Sequence, residues 1–108
     1  NIRCVEGAIE MALRKVIRKP NGLVFNYHRI AMVKIDTNQQ CTILVESYLN
    51  EEGRELEKAY AAGNIVGEIT LPYTLCNYIS TDYDANMNIH NAYEWLKIQP
   101  EYVGAEDI

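Results

Sequence analysis

The chain has 108 residues and a mass of 12.4 kDa, the size of one domain, which leaves little room for a second hydrophobic core. Its apolar fraction of 48% and charged fraction of 23% exclude disordered, collagen-like and low-complexity classes, and no apolar run reaches the roughly 18 to 20 residues that a membrane span needs. The net charge of −5 argues against a general nucleic-acid-binding protein, because non-specific binding to phosphates requires an excess of Lys and Arg.

The chain is expected to form one domain over residues 11–108, preceded by an extension. Residues 1–10 differ in character from the segment that begins at Met11 and are interpreted as an N-terminal extension or arm. Residues 11–49 are rich in Val, Ile, Phe, Tyr and Thr, and within them residues 13–18 and 23–28 are interpreted as two strands. Pro20-Asn21-Gly22 separates the two runs, and its backbone preferences predict a hairpin turn.

A third strand and a second hairpin are predicted next. Past Arg29 the apolar residues change parity, which indicates either one long strand with a bulge near Arg29 or a strand buried on both faces. The polar residues 36–40 have the length of a hairpin loop. Residues 42–48 (TILVESY) are rich in strand-forming residues and are interpreted as another strand.

The middle of the chain changes toward helix-forming residues. Over residues 50–63 the apolar stripe of Leu56, Ala59 and Tyr60 predicts a short helix ended by Gly63, with a mobile loop as the alternative because of Gly53. Residues 68–71 predict a short strand that ends at Pro72. Residues 74–86 show no clear period.

The clearest helix begins after Asn88, whose side chain can cap its first turn, and Pro100 is expected to stop it. Its apolar stripe consists of Ile89, Ala92, Tyr93 and Leu96. Trp95 lies off this stripe, so it either covers the rim of the core or contacts a partner. Together the elements predict an α+β fold, an antiparallel sheet of about four to five strands with the C-terminal helix packed on it.

No motif predicts catalysis, a metal site or a cofactor. His28 and His90 are the only histidines and have no metal-binding spacing; His28 is expected to be a hydrogen-bonded residue of the sheet. The cysteines Cys4, Cys41 and Cys76 form no CxxC pair, so reduced thiols and folding in the cytoplasm are expected. No nucleophile motif or glycine-rich phosphate loop is present.

Charge is distributed unevenly along the chain. Residues 1–35 carry seven Lys or Arg against two acids, a net charge of +5, whereas residues 36–108 carry three bases against thirteen acids, a net charge of −10. Either the two sets pair or face solvent on one domain, or they form a dipole that orients docking.

Eight tyrosines against one Phe and one Trp exceed what so small a core can bury, so some are expected at the surface. Exposed tyrosines favour contact with a protein or a glycan over catalysis. The predicted contact residues are Tyr73, Tyr78, Tyr83 and Trp95.

Three segments resemble a family of small, poorly characterised structural (tail-associated) proteins of tailed bacteriophages and prophages. They are MALRKVIRKPNGLVFNYHRI at the start, ILVESYLNEEGRE in the middle and DYDANMNIHNAYEWLKIQPEYVGAEDI at the end, and the resemblance spans about two thirds of the chain. Residues 1–10 precede the start typical of the family, and residues 74–79 look like an insertion. The resemblance implies a role in the virion, in the tail or baseplate, without a cofactor or catalytic residue.

The leading hypothesis is therefore a non-enzymatic assembly protein that binds copies of itself or phage tail components, as a homo-oligomer, with no membrane or nucleic-acid partner. It would be found in the virion once assembled, and otherwise in the cytoplasm of the bacterial host. The alternative is a small phage-encoded protein that captures a host ligand, a nucleotide or a glycan. Its candidate anion contacts are Arg14, Arg18, His28 and Arg29.

Overall fold

The computed structural model describes residues 11–63 and 74–108, which contain five strands and two helices. These are β1 (Leu13–Arg18), β2 (Val24–Asp36), β3 (Gln40–Tyr48), α1 (Glu51–Ala61), β4 (Thr74–Asp82), α2 (Ile89–Leu96) and β5 (Glu106–Asp107). The strands form one antiparallel sheet in the order β4-β3-β2-β1-β5. The predicted α+β fold with a C-terminal helix on the sheet is confirmed.

Two predictions fall outside these ranges: the extension over residues 1–10 and the strand over residues 68–71. Within the ranges, no helix has the length and apolar character that crossing a membrane requires.

The first hairpin forms where the Pro-Asn-Gly sequence predicts it. The Lys19 N–H donates to the Leu23 carbonyl at 2.8 Å, and the Gly22 N–H donates to the Lys19 carbonyl at 2.9 Å. Gly22 has a φ of 92°, and Asn21 Oδ1 accepts from the Leu23 N–H at 3.0 Å. The turn thus depends on a glycine with positive φ and on an Asn side chain that bonds the backbone, as expected from their types.

The second hairpin confirms the predicted bulge. Strand β2 is 13 residues long, and its register with β3 shifts between Ile30 and Met32, at Ala31, two positions past Arg29. The shift explains why the apolar residues change parity along the strand. The polar loop closes with the Gln39 N–H donating to the Asp36 carbonyl at 3.0 Å, and Asn38 adopts a φ of 63°.

Helix α2 covers one face of the sheet and forms the main core with it. Its Asn88 cap forms as predicted, with Oδ1 accepting from the Asn91 N–H at 2.8 Å. The buried residues of this core are Leu13, Ile17, Ile30, Ile43, Val45, Ala92, Tyr93, Leu96 and Tyr102. Trp95 is half-buried and packs against the core, which supports its assignment to the rim.

Two details of the α2 prediction were wrong. Ile89 is 44% exposed, because the helix contacts the sheet through Ala92, Tyr93 and Leu96 and its first residue lies beyond that contact. The helix also ends at Leu96, before Pro100, and continues as a series of turns in which the Tyr102 N–H donates to the Gln99 carbonyl at 2.9 Å.

The Tyr93 hydroxyl completes the hydrogen bonding of the sheet. It accepts from the Ile30 N–H at 2.8 Å and donates to the Met11 carbonyl at 2.7 Å. Strand β1 begins at Leu13, opposite His28, so Ile30 lies past the end of its pairing with β1. One tyrosine of α2 therefore satisfies a backbone donor and a backbone acceptor that strand pairing leaves open.

Helix α1 confirms the helical alternative for residues 50–63, but its predicted stripe does not face the core. Asn50 caps it through Oδ1, which accepts from the Gly53 N–H at 2.8 Å. Leu56 and Tyr60 are 36% and 45% exposed, while Gly53 is buried. The helix instead reaches the sheet through Glu57, which accepts a hydrogen bond from the Tyr48 hydroxyl at 2.7 Å. Tyr48, which contacts α1, and Val45, which lies in the core with α2, are three residues apart on β3 and therefore point to opposite faces of the sheet. Helix α1 thus lies on the face opposite α2.

Strand β4 and the short β5 were not predicted. Along β4, half-buried positions alternate with exposed ones, but the half-buried set includes the polar Asn77 and Thr81. Because the inward residues are not uniformly apolar, the sequence shows no hydrophobic period. Strand β5 consists of two residues, which pair with Leu13 and Arg14. A strand of two residues is too short to give a sequence pattern.

Candidate interaction surface

The predicted contact residues lie in different environments. Tyr78 is 65% exposed on β4, and Tyr83, just after that strand, is also exposed. Trp95 is half-buried against the core, and Tyr73 lies outside the described residues. Among the remaining described tyrosines, Tyr60 is exposed and four are buried: Tyr27, Tyr48, Tyr93 and Tyr102. Surface tyrosines are therefore present, as their number predicted.

The four candidate anion contacts do not form one site. His28 is buried on the α2 side of the sheet, whereas its neighbour Arg29 projects to the α1 side, where its Nη2 lies 3.0 Å from Glu46 Oε1. Arg14 is exposed, with its Nη2 3.6 Å from Glu51 Oε1, and Arg18 is exposed on β1. Adjacent strand residues point to opposite faces, so sequence proximity did not bring the cationic groups together.

His28 is a structural residue, as predicted for a histidine within the sheet. Its Nε2 lies 2.8 Å from the Lys15 carbonyl and must therefore carry the proton, so Nδ1 accepts from the Ser47 hydroxyl at 2.7 Å. The ring also packs edge-on against Tyr102, with centroids 5.5 Å apart. Burial lowers the pKa of His28 from its usual 6.5, which favours the neutral imidazole.

On the α1 side, Tyr48 is the centre of a polar cluster. Its hydroxyl lies 2.7 Å from Glu57 Oε1 and 3.0 Å from Glu46 Oε1, and it accepts from Arg29 Nε at 3.1 Å. Arg54 pairs with the same Glu57 carboxylate. Burial, and then the hydrogen bond to Glu57, raise the pKa of Tyr48 well above its usual value, so the hydroxyl keeps its proton. This cluster joins α1 to the sheet.

Charge pairing within the molecule accounts for part of the uneven charge distribution. Among the described residues, three bases of the first third pair with acids of the remainder: Arg14 with Glu51, Lys19 with Glu101 at 2.6 Å, and Arg29 with Glu46. These contacts support the first interpretation of the charge pattern, in which the two sets pair on one domain. They leave less of the basic segment available to orient a partner.

An apolar row crosses the face opposite α2. Met32 is paired with Leu44 and Leu44 with Tyr78, so the three side chains are cross-strand neighbours on β2, β3 and β4. Met32 and Tyr78 are exposed and Leu44 is half-buried. The neighbouring row of Lys34, Thr42 and Ser80 is polar. We call Met32, Leu44 and Tyr78 the outer row.

The outer row ends on β4, which is the last strand of the sheet among the described residues. This strand is nine residues long. Its first eight residues, 74–81, include no charged residue and no proline, and its last residue is Asp82. Edge strands commonly carry Lys, Pro or a bulge that blocks pairing with another chain. The sequence predicted Tyr78 as a contact residue, whereas Met32 and Leu44 lie beside it only because of the register set by the bulge.

A cleft of about 480 Å³ lies beside the first half of β4. Its lining residues are Lys19, Pro20, Asn21, Phe25, Leu75, Cys76, Asn77 and Glu101. None of the predicted contact residues that the structure describes lines it. Within residues 11–63 and 74–108, no group of three or more His, Cys, Asp or Glu could hold a metal ion.

Function has to be inferred from this geometry and from the resemblance of the three sequence segments. No protein-family model matches the chain, and neither does any curated protein or solved structure.

Proposed function

We propose that this chain is a non-enzymatic structural or assembly protein of a tailed phage or prophage, associated with the tail or baseplate. It acts through contacts with copies of itself and with tail components. The observation that carries the proposal is the outer row, Met32, Leu44 and Tyr78, which leads to the uncharged strand β4.

The side chains of the outer row suit a protein contact. Aromatic residues and Met are enriched in protein interfaces, and Tyr78 presents most of its ring with few rotatable bonds to immobilise. The polar row of Lys34, Thr42 and Ser80 beside it resembles the rim that surrounds an interface core. Backbone groups on the outer side of an edge strand add hydrogen bonds that few other surfaces can offer.

The resemblance to tail-associated proteins supports the same role. It gives the location as the virion after assembly, or the cytoplasm of the bacterial host before it. The proposal requires no cofactor, no membrane partner and no nucleic-acid partner.

Light scattering coupled to size-exclusion chromatography, at increasing protein concentration, tests self-association. A pulldown with phage tail proteins tests the second kind of partner. We expect a mass above 12.4 kDa that rises with concentration, or retention of a tail component. A protein that stays monomeric at high concentration and retains no tail component would contradict the proposal.

The cleft favours a second candidate function, capture of a small host ligand. Its volume of about 480 Å³ lies within the usual range for ligand pockets. The side-chain amides of Asn21 and Asn77 and the Lys19–Glu101 ion pair could hydrogen-bond a nucleotide or a glycan. In a thermal-shift assay with ATP and with chitotriose, binding would raise the melting temperature by several degrees, and Lys19→Met would abolish the rise whereas Lys58→Met would not.

A further inference from the structure

We propose that β4 pairs with β4 of a second copy, antiparallel and centred on Tyr78, so that the two sheets become one. This inference rests on the proposed function, because it specifies the partner and the register of the assembly contact. The two copies would be related by a two-fold axis that passes between their Tyr78 residues.

The length and composition of β4 select the register. Tyr78 is the middle residue of residues 75–81, an uncharged part of β4, so in this antiparallel register all seven of these residues are paired. Cys76 then lies opposite Ser80 of the second copy, and Leu75 lies opposite Thr81 of the second copy. Any shift leaves residues at both ends without strand partners and removes backbone hydrogen bonds.

Charge favours the same register. Asp82 is the only charged residue of β4, and in this register the two Asp82 carboxylates lie at opposite ends of the paired strands, roughly 27 Å apart at about 3.4 Å per residue. That separation exceeds the Debye length of about 8 Å at physiological salt, so their repulsion is screened. Centring the pair on Ser80 instead would halve the distance and place Tyr78 beside Asp82 of the second copy.

The outer row explains why a second copy suits this edge. Because Tyr78 of one copy would stand opposite Tyr78 of the other, the row Met32–Leu44–Tyr78 would continue as Tyr78–Leu44–Met32 across the axis. The result is a continuous apolar row across six strands, and aromatic cross-strand pairs stabilise antiparallel sheets. One strand pair and one side-chain row form a small interface, so we expect dimerisation that depends on concentration.

Disulfide trapping tests this register. Ser80 is exposed, so Ser80→Cys should fold normally and would place a thiol opposite Cys76 of the second copy. Opposed Cα atoms in antiparallel strands are about 4.5 to 5.5 Å apart, which is within the range of a disulfide. All proteins carry Cys4→Ser, and Cys41 is buried. Mild oxidation should convert most of Ser80→Cys to a covalent dimer, with mass spectrometry showing a peptide that joins positions 76 and 80.

Two matched proteins serve as controls. One is the parent, with Cys76 alone, and the other is the double variant Cys76→Ser/Ser80→Cys. In the proposed register, the thiol of one copy lies about 14 Å from the same thiol of the second copy, so neither protein should crosslink. A dimer by light scattering without a 76–80 crosslink would overturn the register while leaving the assembly role intact. Equal crosslinking in either control would also overturn it. A monomer at all concentrations that also retains no tail component would contradict both proposals.

Discussion

At the scale of single residues, the buried polar groups are accounted for by particular partners. His28 contacts a backbone carbonyl and a hydroxyl, and Tyr93 contacts a backbone N–H and a backbone carbonyl. An unsatisfied buried donor or acceptor costs about 1–3 kcal/mol, so these side chains stabilise the fold mainly by preventing that loss. Their partners are distant in sequence, which is why spacing alone could not reveal their roles.

Tyr93→Phe should lower the free energy of unfolding by about 1–3 kcal/mol. The variant keeps the ring in the core but leaves the Ile30 N–H and the Met11 carbonyl without this partner. Urea denaturation checks the change. Tyr78→Phe, which removes a hydroxyl from an exposed ring, is the matched control and should change stability by less than about 0.5 kcal/mol. Equal losses of stability in the two variants would show that the bridging hydroxyl contributes no more to stability than an exposed hydroxyl does.

His28 should make the free energy of unfolding depend on pH below its usual pKa of 6.5. Because burial lowers the pKa of His28 in the folded state, the unfolded chain binds the proton more readily. The contribution is complete above pH 6.5 and is lost as the pH falls from 6.5 through the lower folded pKa. Urea midpoints measured between about pH 5 and 7.5 should therefore fall toward acid, less steeply in His28→Gln. Equal slopes in the parent and in His28→Gln would contradict a role for His28 in the pH dependence.

At the scale of elements, polar contacts attach α1 to the sheet. Its apolar Leu56 and Tyr60 face outward, and Glu57 and Arg54 meet around the Tyr48 hydroxyl. A helix held in this way does not follow the rule that the apolar stripe faces the core. The sequence therefore predicted that α1 exists but not how it is oriented.

Tyr48→Phe should destabilise the protein by about 1.5–3 kcal/mol, because its hydroxyl bonds charged groups in a half-buried cluster. Loss of this contact should also increase hydrogen exchange in α1 more than in α2. Hydrogen-exchange mass spectrometry with urea denaturation measures both effects. The matched control is Tyr60→Phe on the exposed face of α1, for which neither quantity should change. Uniform exchange in α1 and α2 would contradict a specific attachment.

The hairpins and α2 were predictable because local chemistry determines them. The turn at Gly22, which has a positive φ, and the helix cap at Asn88 both depend on residues that are close in sequence. Strand β4 was not predictable, because its inward Asn77 interrupts the apolar period. For the outer row, Tyr78 followed from the tyrosine excess, whereas Leu44 and Met32 needed the register of three strands.

At the scale of the whole molecule, the ion pairs form within the chain, whereas the outer row is the surface that we propose for association. In the part of the chain that the structure describes, three ion pairs join the basic first third to the acidic remainder, so part of the charge separation along the sequence becomes pairing in space. Exposed pairs such as Arg14–Glu51 contribute little to stability. Association is therefore expected to depend mainly on the outer row and β4, and to be affected little by salt.

Tyr78→Arg tests this expectation for the intact protein. Two guanidinium groups brought together at a two-fold contact repel each other and lose water, so self-association should fall by about tenfold or more in light scattering. The melting temperature should not change, because the side chain is 65% exposed. Val16→Arg is the matched control: Val16 is 66% exposed on β1, which β2 and β3 separate from β4, and the variant adds the same charge. Association weakened equally by both variants would indicate a general charge effect, and association unchanged in Tyr78→Arg would place the contact elsewhere on the surface.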